Sequence, residues 1–399
     1  MLSSVSAAGT VAAGTISSTN VVGSSINAGQ GGIRQFSFAN GTVPAVVHTL
    51  TADTVISVGG VFFDGTASNG IDRAGTNAGA LTINANSLSI GPAGNIRGSF
   101  TLNGGDGGFG SNENLLDAGG GGMLVINING DLTINSDIEA TSGRIPDTAP
   151  PSGQGGNIIL DSTNGAVSVS SRTEVSSAEP RSSAAPRRLS QSGGSLALRS
   201  DKPSGLAINV SNTAQLLALL DAAAPGPGGK VTILATGASS VANVNGRLAA
   251  DRGTIDIRHT GDSGQINLGG PSLGDTVDAH ADVIKVAALG NNGVLTIGNG
   301  ILSADTTLQL YSPGSNGTVN FVANVTLGGA GTNTIAGNTV NIFNGVVVNI
   351  GGQNPANVFT NNPNYTGFGG NGSRTGTFGG AGASNPQPLN QAPPIGPGG

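Results

Sequence analysis

Residues 155–175 read GGNIILDSTNGAVSVSSRTEV, and the fold is decided by how this stretch is read. A glycine doublet, Gly155-Gly156, leads it. Ile158 and Leu160 then occupy alternate positions, Val167 and Val169 do the same, and Val175 follows. Apolar residues at period two mark a strand with one buried face. The unit before it has the same plan: Gly121-Gly122, then Leu124 and Ile126, Leu132 and Ile134, and Ile138. Before that come Leu81 and Ile83, Leu88 and Ile90, and Ile96. The doublets Gly193-Gly194 and Gly228-Gly229 open further alternating runs at Ser195-Leu196-Ala197-Leu198 and Lys230-Val231-Thr232-Ile233. Each unit holds two strands and a shorter third element, which is the plan of a parallel β-helix. Glycine tolerates chain reversal, so the doublets are expected to be turns.

The C-terminal half repeats more openly. Thr318-Val319-Asn320-Phe321-Val322 returns 21 residues on as Thr339-Val340-Asn341-Ile342-Phe343. Each copy precedes a strand ending in Gly-Gly, at Gly328-Gly329 and Gly351-Gly352. Such a period belongs to stacked-repeat architectures. About fifteen rungs at about 4.8 Å would make a rod on the order of 70 Å long.

Composition agrees with a narrow core. Of 399 residues, 37% are hydrophobic but only 3% are aromatic, so the core must be built from Val, Ile, Leu, Ala and Thr. Charged residues make up 10%, which leaves Asn, Ser, Thr and Gly to cover the surface. The net charge of −6 gives no electrostatic basis for binding nucleic acid or anionic lipid. Cysteine is absent, which excludes disulfides, thiolate metal sites and cysteine nucleophiles. No run approaches the roughly 18 apolar residues of a membrane span, so no membrane insertion is expected. The start, through Thr15, lacks the basic and apolar regions of a signal peptide, and the strand pattern begins at once. The expectation is a fragment of a longer reading frame; a cytosolic start is the alternative.

These patterns predict an all-β fold, a right-handed parallel β-helix (solenoid) with loop insertions and one short capping or lateral α-helix. The first half of the β-helix covers 1–178. A Pro/Ser/Arg-rich linker or loop with Arg181, Arg187 and Arg188 covers 179–204. The second half covers 205–352, and a Gly/Asn/Pro-rich, largely disordered tail covers 353–399. The helix is expected near 212–224: Ser211, Asn212 or Thr213 can cap it, Leu216, Leu217 and Leu220 form a stripe, and Pro225-Gly226 stops it.

The glycine-led rungs and Asn/Thr-rich strands of residues 30–352 resemble the passenger regions of filamentous-haemagglutinin-type bacterial surface proteins. The stretches 216–220, 252–268 (RGTIDIRHTGDSGQINL), 282–300 (DVIKVAALGNNGVLTIGNG) and 311–329 resemble β-helical regions of uncharacterised bacterial proteins, some with an upstream FecR-type domain that this sequence does not display. The resemblance implies export and a structural or adhesive role. It carries no catalytic residue over.

The chemistry-bearing residues are few. Gly105-Asp106-Gly107-Gly108-Phe109-Gly110 matches G-x-G-x-x-G, but the helix that a dinucleotide site needs does not follow, so a glycine-rich loop is the reading and no cofactor is expected. No catalytic residue is assigned. The candidates are Asp256, Arg258 and His259, with Asp251 and Asp262 nearby. Ile255 and Ile257 should point inward and leave Asp256 and Arg258 on the outer face, where β-helical polysaccharide enzymes cluster carboxylates. An exposed ion pair is the competing and preferred reading. No metal site is assigned either. Asp278, His280 and Asp282 share a face if extended and are the candidates, a solvated face being preferred. His48 is isolated.

The expected function is non-enzymatic: a structural or adhesin-like segment of an exported bacterial surface protein, extracellular or on the outer cell surface. Glycans or cell-surface proteins are the expected partners. The alternative is a polysaccharide lyase or glycoside hydrolase on the same scaffold, against which the scarcity of aromatic side chains for sugar stacking argues.

Overall fold

A computed structural model describes residues 77–90, 100–104, 119–143, 153–176, 192–220, 226–270, 274–329, 332–343 and 345–350. It also describes the backbone of short strands in 1–62 and 356–379. The described residues are all-β, and the recorded strand registers are parallel. The chain divides into two compact units. One comprises 1–198, 215–231 and 250–253; the other comprises 199–214, 232–249 and 254–399.

In the first unit the predicted alternation becomes columns of buried side chains. Leu81, Leu124 and Ile158 are successive register partners, as are Ile83, Ile126 and Leu160. Leu88, Leu132 and Val167 form a third column. All nine are buried. Burying each such side chain is worth about 2 kcal/mol, so the period-two pattern fixes the register: a slip of one residue would turn every column outward. The third, shorter strands pair likewise, Phe100 with Ile138 and Ile138 with Thr173.

The glycine doublets that open strands are not left-handed turns. None of the eight glycines at 121–122, 155–156, 193–194 and 228–229 has a positive φ, whereas Gly329, at the end of a strand, holds φ at 97°. The strand-opening doublets are instead where one repeat's backbone presses on the next. A Cβ on Gly122 would lie under 3.0 Å from Gly79 O, one on Gly156 from Gly122 O, one on Gly194 from Gly156 O, and one on Gly253 from Gly229 O. Only hydrogen fits there. The pair Arg252-Gly253 stands against Gly228-Gly229, and Arg252 holds φ at 54°, a left-handed conformation unusual outside glycine.

No helix forms among residues 212–220; residues 221–225 lie outside the described residues. Gln215–Leu217 is a strand paired in parallel with Arg172–Glu174, Leu216 opposite Thr173. Leu216, Leu217, Ala218 and Leu220 are buried, so the leucines fill the third-strand position of their repeat. Helix propensity is a weak preference of tenths of a kcal/mol per residue, and strand pairing with full burial outweighs it. Of the stretch expected to link two halves, 177–191 lies outside the described residues, while Ser195–Ser200 is a strand. In the region expected to be a tail, Ala356–Thr360 pairs with Thr332–Gly337.

The second unit repeats more tightly. The two TVN copies pair residue for residue, Thr318 with Thr339 through Phe321 with Ile342. Val325, Thr326 and Leu327 meet Val348, Asn349 and Ile350. Three turns, Gly261-Asp262-Ser263-Gly264, Gly290-Asn291-Asn292-Gly293 and Gly314-Ser315-Asn316-Gly317, each close when the last N–H donates to the first carbonyl, at 3.1, 3.0 and 2.8 Å. Tyr311, the largest fully buried side chain among the described residues, has Ala287 and Ala336 as its register partners, so small residues flank its ring.

Candidate functional site

Asp256 and Arg258 lie on the strand Gly246–His259, alternating with the buried Ile255 and Ile257. Their side chains meet on the face away from those isoleucines, as alternation requires. Arg258 donates to Asp256 Oδ2 at 2.7 Å. The pair is much less exposed than expected: the side chains retain 5% and 14% of their accessibility. A carboxylate held this way, with its charge matched and little water access, is poorly placed to move a proton on a polymer. Its second oxygen, Oδ1, is buried with no protein partner.

His259 is not part of that pair. Its side chain is fully buried on the other side of the strand, where Gly261 N–H donates to Nδ1 at 3.1 Å and Nε2 lies 2.9 Å from Ser240 Oγ. Burial lowers its pKa from the usual histidine value, partly opposed by its contact with Ser240. The imidazole occupies the position two residues before the first glycine of its turn, which Ala288 and Ser312 fill in the next two turns. Ser312 Oγ there donates to Gly293 O at 2.7 Å. The three catalytic candidates thus divide into a shielded ion pair and a residue that closes a turn. Asp262 accepts from Asn291 and Asn292 at 2.9 and 3.2 Å, so it too is committed to a turn.

Asp278, His280 and Asp282 lie on one extended strand, Val277–Ala288. Asp278 and His280 are exposed and Asp282 is half-buried. The register with the neighbouring strand shifts between Ala281 and Val283, and His280 Nε2 stands 4.0 Å from Asp305 Oδ2 across that irregularity. Among the described residues no group of three His, Asp or Glu side chains is arranged to hold a metal ion. The glycine-rich loop 105–110, Arg181, Arg187, Arg188 and the side chain of His48 lie outside the described residues.

One charged cluster escaped the sequence reading. Glu139 and Glu174 are register partners on adjacent strands, and Arg172 bridges them, at 3.5 Å from Glu139 and in direct contact with Glu174. Asn103 adds a 3.4 Å contact to Glu139. The signal was there: Ile138-Glu139-Ala140 and Thr173-Glu174-Val175 occupy the same place in their repeats. One guanidinium neutralises much of both carboxylates, which makes this a brace between strands.

The extended feature of the surface is neutral. The strands Ser239–Val244, Gln265–Leu268, Val294–Ile297, Thr318–Phe321 and Thr339–Ile342 contain no charged residue. Their half-buried outward positions line up as Asn243, Asn267, Thr296, Asn320 and Asn341. Asn267 Nδ2 donates to Asn243 Oδ1 at 2.8 Å, and Asn341 Nδ2 to Asn320 Oδ1 at 2.9 Å. Similar amide pairs occur in the other unit, Asn127 with Asn84 at 2.9 Å and Asn164 with Asn129 at 2.6 Å. Each bond leaves further amide donors and acceptors facing outward at rung spacing. No protein family, no curated protein and no solved structure matches this chain.

Proposed function

We propose that this chain is a right-handed parallel β-helix with loop insertions, and that it serves as a non-enzymatic, adhesin-like segment of an exported bacterial surface protein. The observation that carries this reading is the charge-free column Asn243, Asn267, Thr296, Asn320 and Asn341. It repeats a neutral hydrogen-bonding side chain once per rung, an amide at four positions and a hydroxyl at one. Each contact with a glycan or a cell-surface protein is weak, and several in a row give useful avidity. The committed state of Asp256, Arg258 and His259 supports the same reading over a lyase or hydrolase.

The test uses the purified chain on a panel of neutral and acidic polysaccharides, with and without calcium, and on cell surfaces. Binding is expected without release of reducing ends or unsaturated products. Asp256→Ala combined with Arg258→Ala should leave binding nearly unchanged, because both halves of the shielded pair go together. Replacing Asn243, Asn267, Asn320 and Asn341 together by Ala should weaken it at least tenfold, whereas Asn267→Ala alone should cost less than threefold. Turnover abolished by the Asp256/Arg258 double variant would establish the enzyme instead.

A further inference from the structure

His259 is a buried titratable group whose neutral form is set by the backbone around it. His259 Nδ1 accepts the Gly261 N–H at 3.1 Å, so it carries no proton. The ring proton therefore sits on Nε2 and is donated to Ser240 Oγ at 2.9 Å. Ser240 in turn donates its hydroxyl proton to Gly237 O at 3.2 Å. The chain from Gly261 N–H through imidazole and serine to a carbonyl is complete, with each atom in a fixed role. It joins two consecutive turns, the one starting at Gly237 and the one starting at Gly261.

We propose that the His259 corner is an acid-sensitive latch: the neutral imidazole holds the 261–264 turn closed, and a second ring proton opens it. That proton must go on Nδ1, where it would face the Gly261 N–H, donor against donor, and bring a buried charge. Among the described residues, neither ring nitrogen is bonded to a charged group that would compensate it. Ser239–Val244 carries no titratable group. Asp262 in the turn is bound by Asn291 and Asn292. On the histidine's own strand Asp256 and Arg258 pair with each other, and Arg247, Asp251 and Arg252 lie further back. Val277–Ala288 contributes Asp278, His280, Asp282 and Lys285, and Lys230–Ala235 contributes Lys230 at its far end. None of these bonds a ring nitrogen of His259, both of which are taken by Ser240 and Gly261.

The direction in pH follows. Burial lowers the histidine's affinity for a proton in the closed state, so the open state binds protons more readily. The corner is fully closed above the free-histidine value of about 6.5 and loses stability as pH falls below it toward the lowered folded value. The equivalent corner at Ser312 has a hydroxyl in the same place and no such dependence is expected of it.

Hydrogen exchange of the full chain between pH 7.5 and pH 5, corrected for the intrinsic rate, reads this out. Opening of 259–268 should rise up to about tenfold per pH unit below about 6.5, while 312–321 stays level. His259→Ser should remove the difference, and His280→Gln should keep it. Equal responses at the two corners, or a response that survives His259→Ser, would overturn the latch. If His259→Ser does not fold, the imidazole carbon shifts of the wild-type chain decide. Exchange onset that tracks His259 protonation supports the latch, and onset that tracks another histidine overturns it.

Discussion

Both units press glycines against a neighbouring backbone, in the second Gly261 against Gly237 O and Gly290 against Gly261 O, but the described glycines with a left-handed backbone lie in the second unit alone. In the first, Gly122, Gly156, Gly194 and Gly253 have ordinary backbone angles and are required because a neighbouring backbone occupies the space of a side chain. In the second lie the described glycines with positive φ, among them Gly246 at 75° and Gly269 at 62°. There glycine is required by conformation, the more familiar demand. The difference teaches that glycine content alone does not tell a turn from a contact. A doublet ahead of a strand, repeated at the same place in each repeat, signals contact.

The comparison makes different predictions for substitution. The largest effect is expected at Gly194, where a methyl group would meet Gly156 O, Val175 O and Val175 Cβ, two of them backbone atoms that cannot step aside. Gly194→Ala should cost about 3 kcal/mol, read as a lowered urea midpoint for the peptides of the first unit. A loss below about 1 kcal/mol would show that the backbones are not in contact. In the second unit Asn267→Ala removes one amide bond to Asn243 and should cost about 1 kcal/mol by the same measurement. The smallest effect has the opposite sign. Arg252 holds φ at 54° beside Gly253, where the preceding repeats have two glycines. Arg252→Gly should relieve ~1 kcal/mol of strain and lose ~0.5 kcal/mol to the looser unfolded chain, a net gain of about 0.5 kcal/mol. A clear destabilisation would mean that the arginine side chain contributes more than its backbone costs.

Much of the strand plan was legible because alternate residues of each strand are buried in register with those of the next. Leu124, Ile126, Leu132, Ile134 and Ile138 each alternate with polar or half-buried neighbours and all are buried as read. The TVN repeat was legible because its copies are direct register partners. The 212–224 segment misled for a physical reason. Leu216 and Leu217 are consecutive and both buried, as happens where a strand runs into a corner, and consecutive leucines mimic a helical stripe. The outward placement of Asp256 and Arg258 followed from alternation, but their shielding did not, since local sequence does not show what packs beside a strand. His259 was legible as a nearby titratable group and illegible as a turn lock. Only alignment of the three G-x-x-G turns shows it in the place of Ala288 and Ser312.

Tyr311 has a use in light. The chain has no tryptophan and two tyrosines, so its phenol absorption and emission come from Tyr311 and Tyr365. The Tyr311 ring is 2% exposed between Ala287 and Ala336, and burial raises its phenol pKa above the usual value. In alkaline solution it keeps its proton, and with it its phenol spectrum, beyond the pH at which an exposed tyrosine would ionise. Unfolding of the strand that carries it would release that proton and change the absorbance. The second unit therefore contains its own optical gauge of integrity, with no dye attached and no residue replaced.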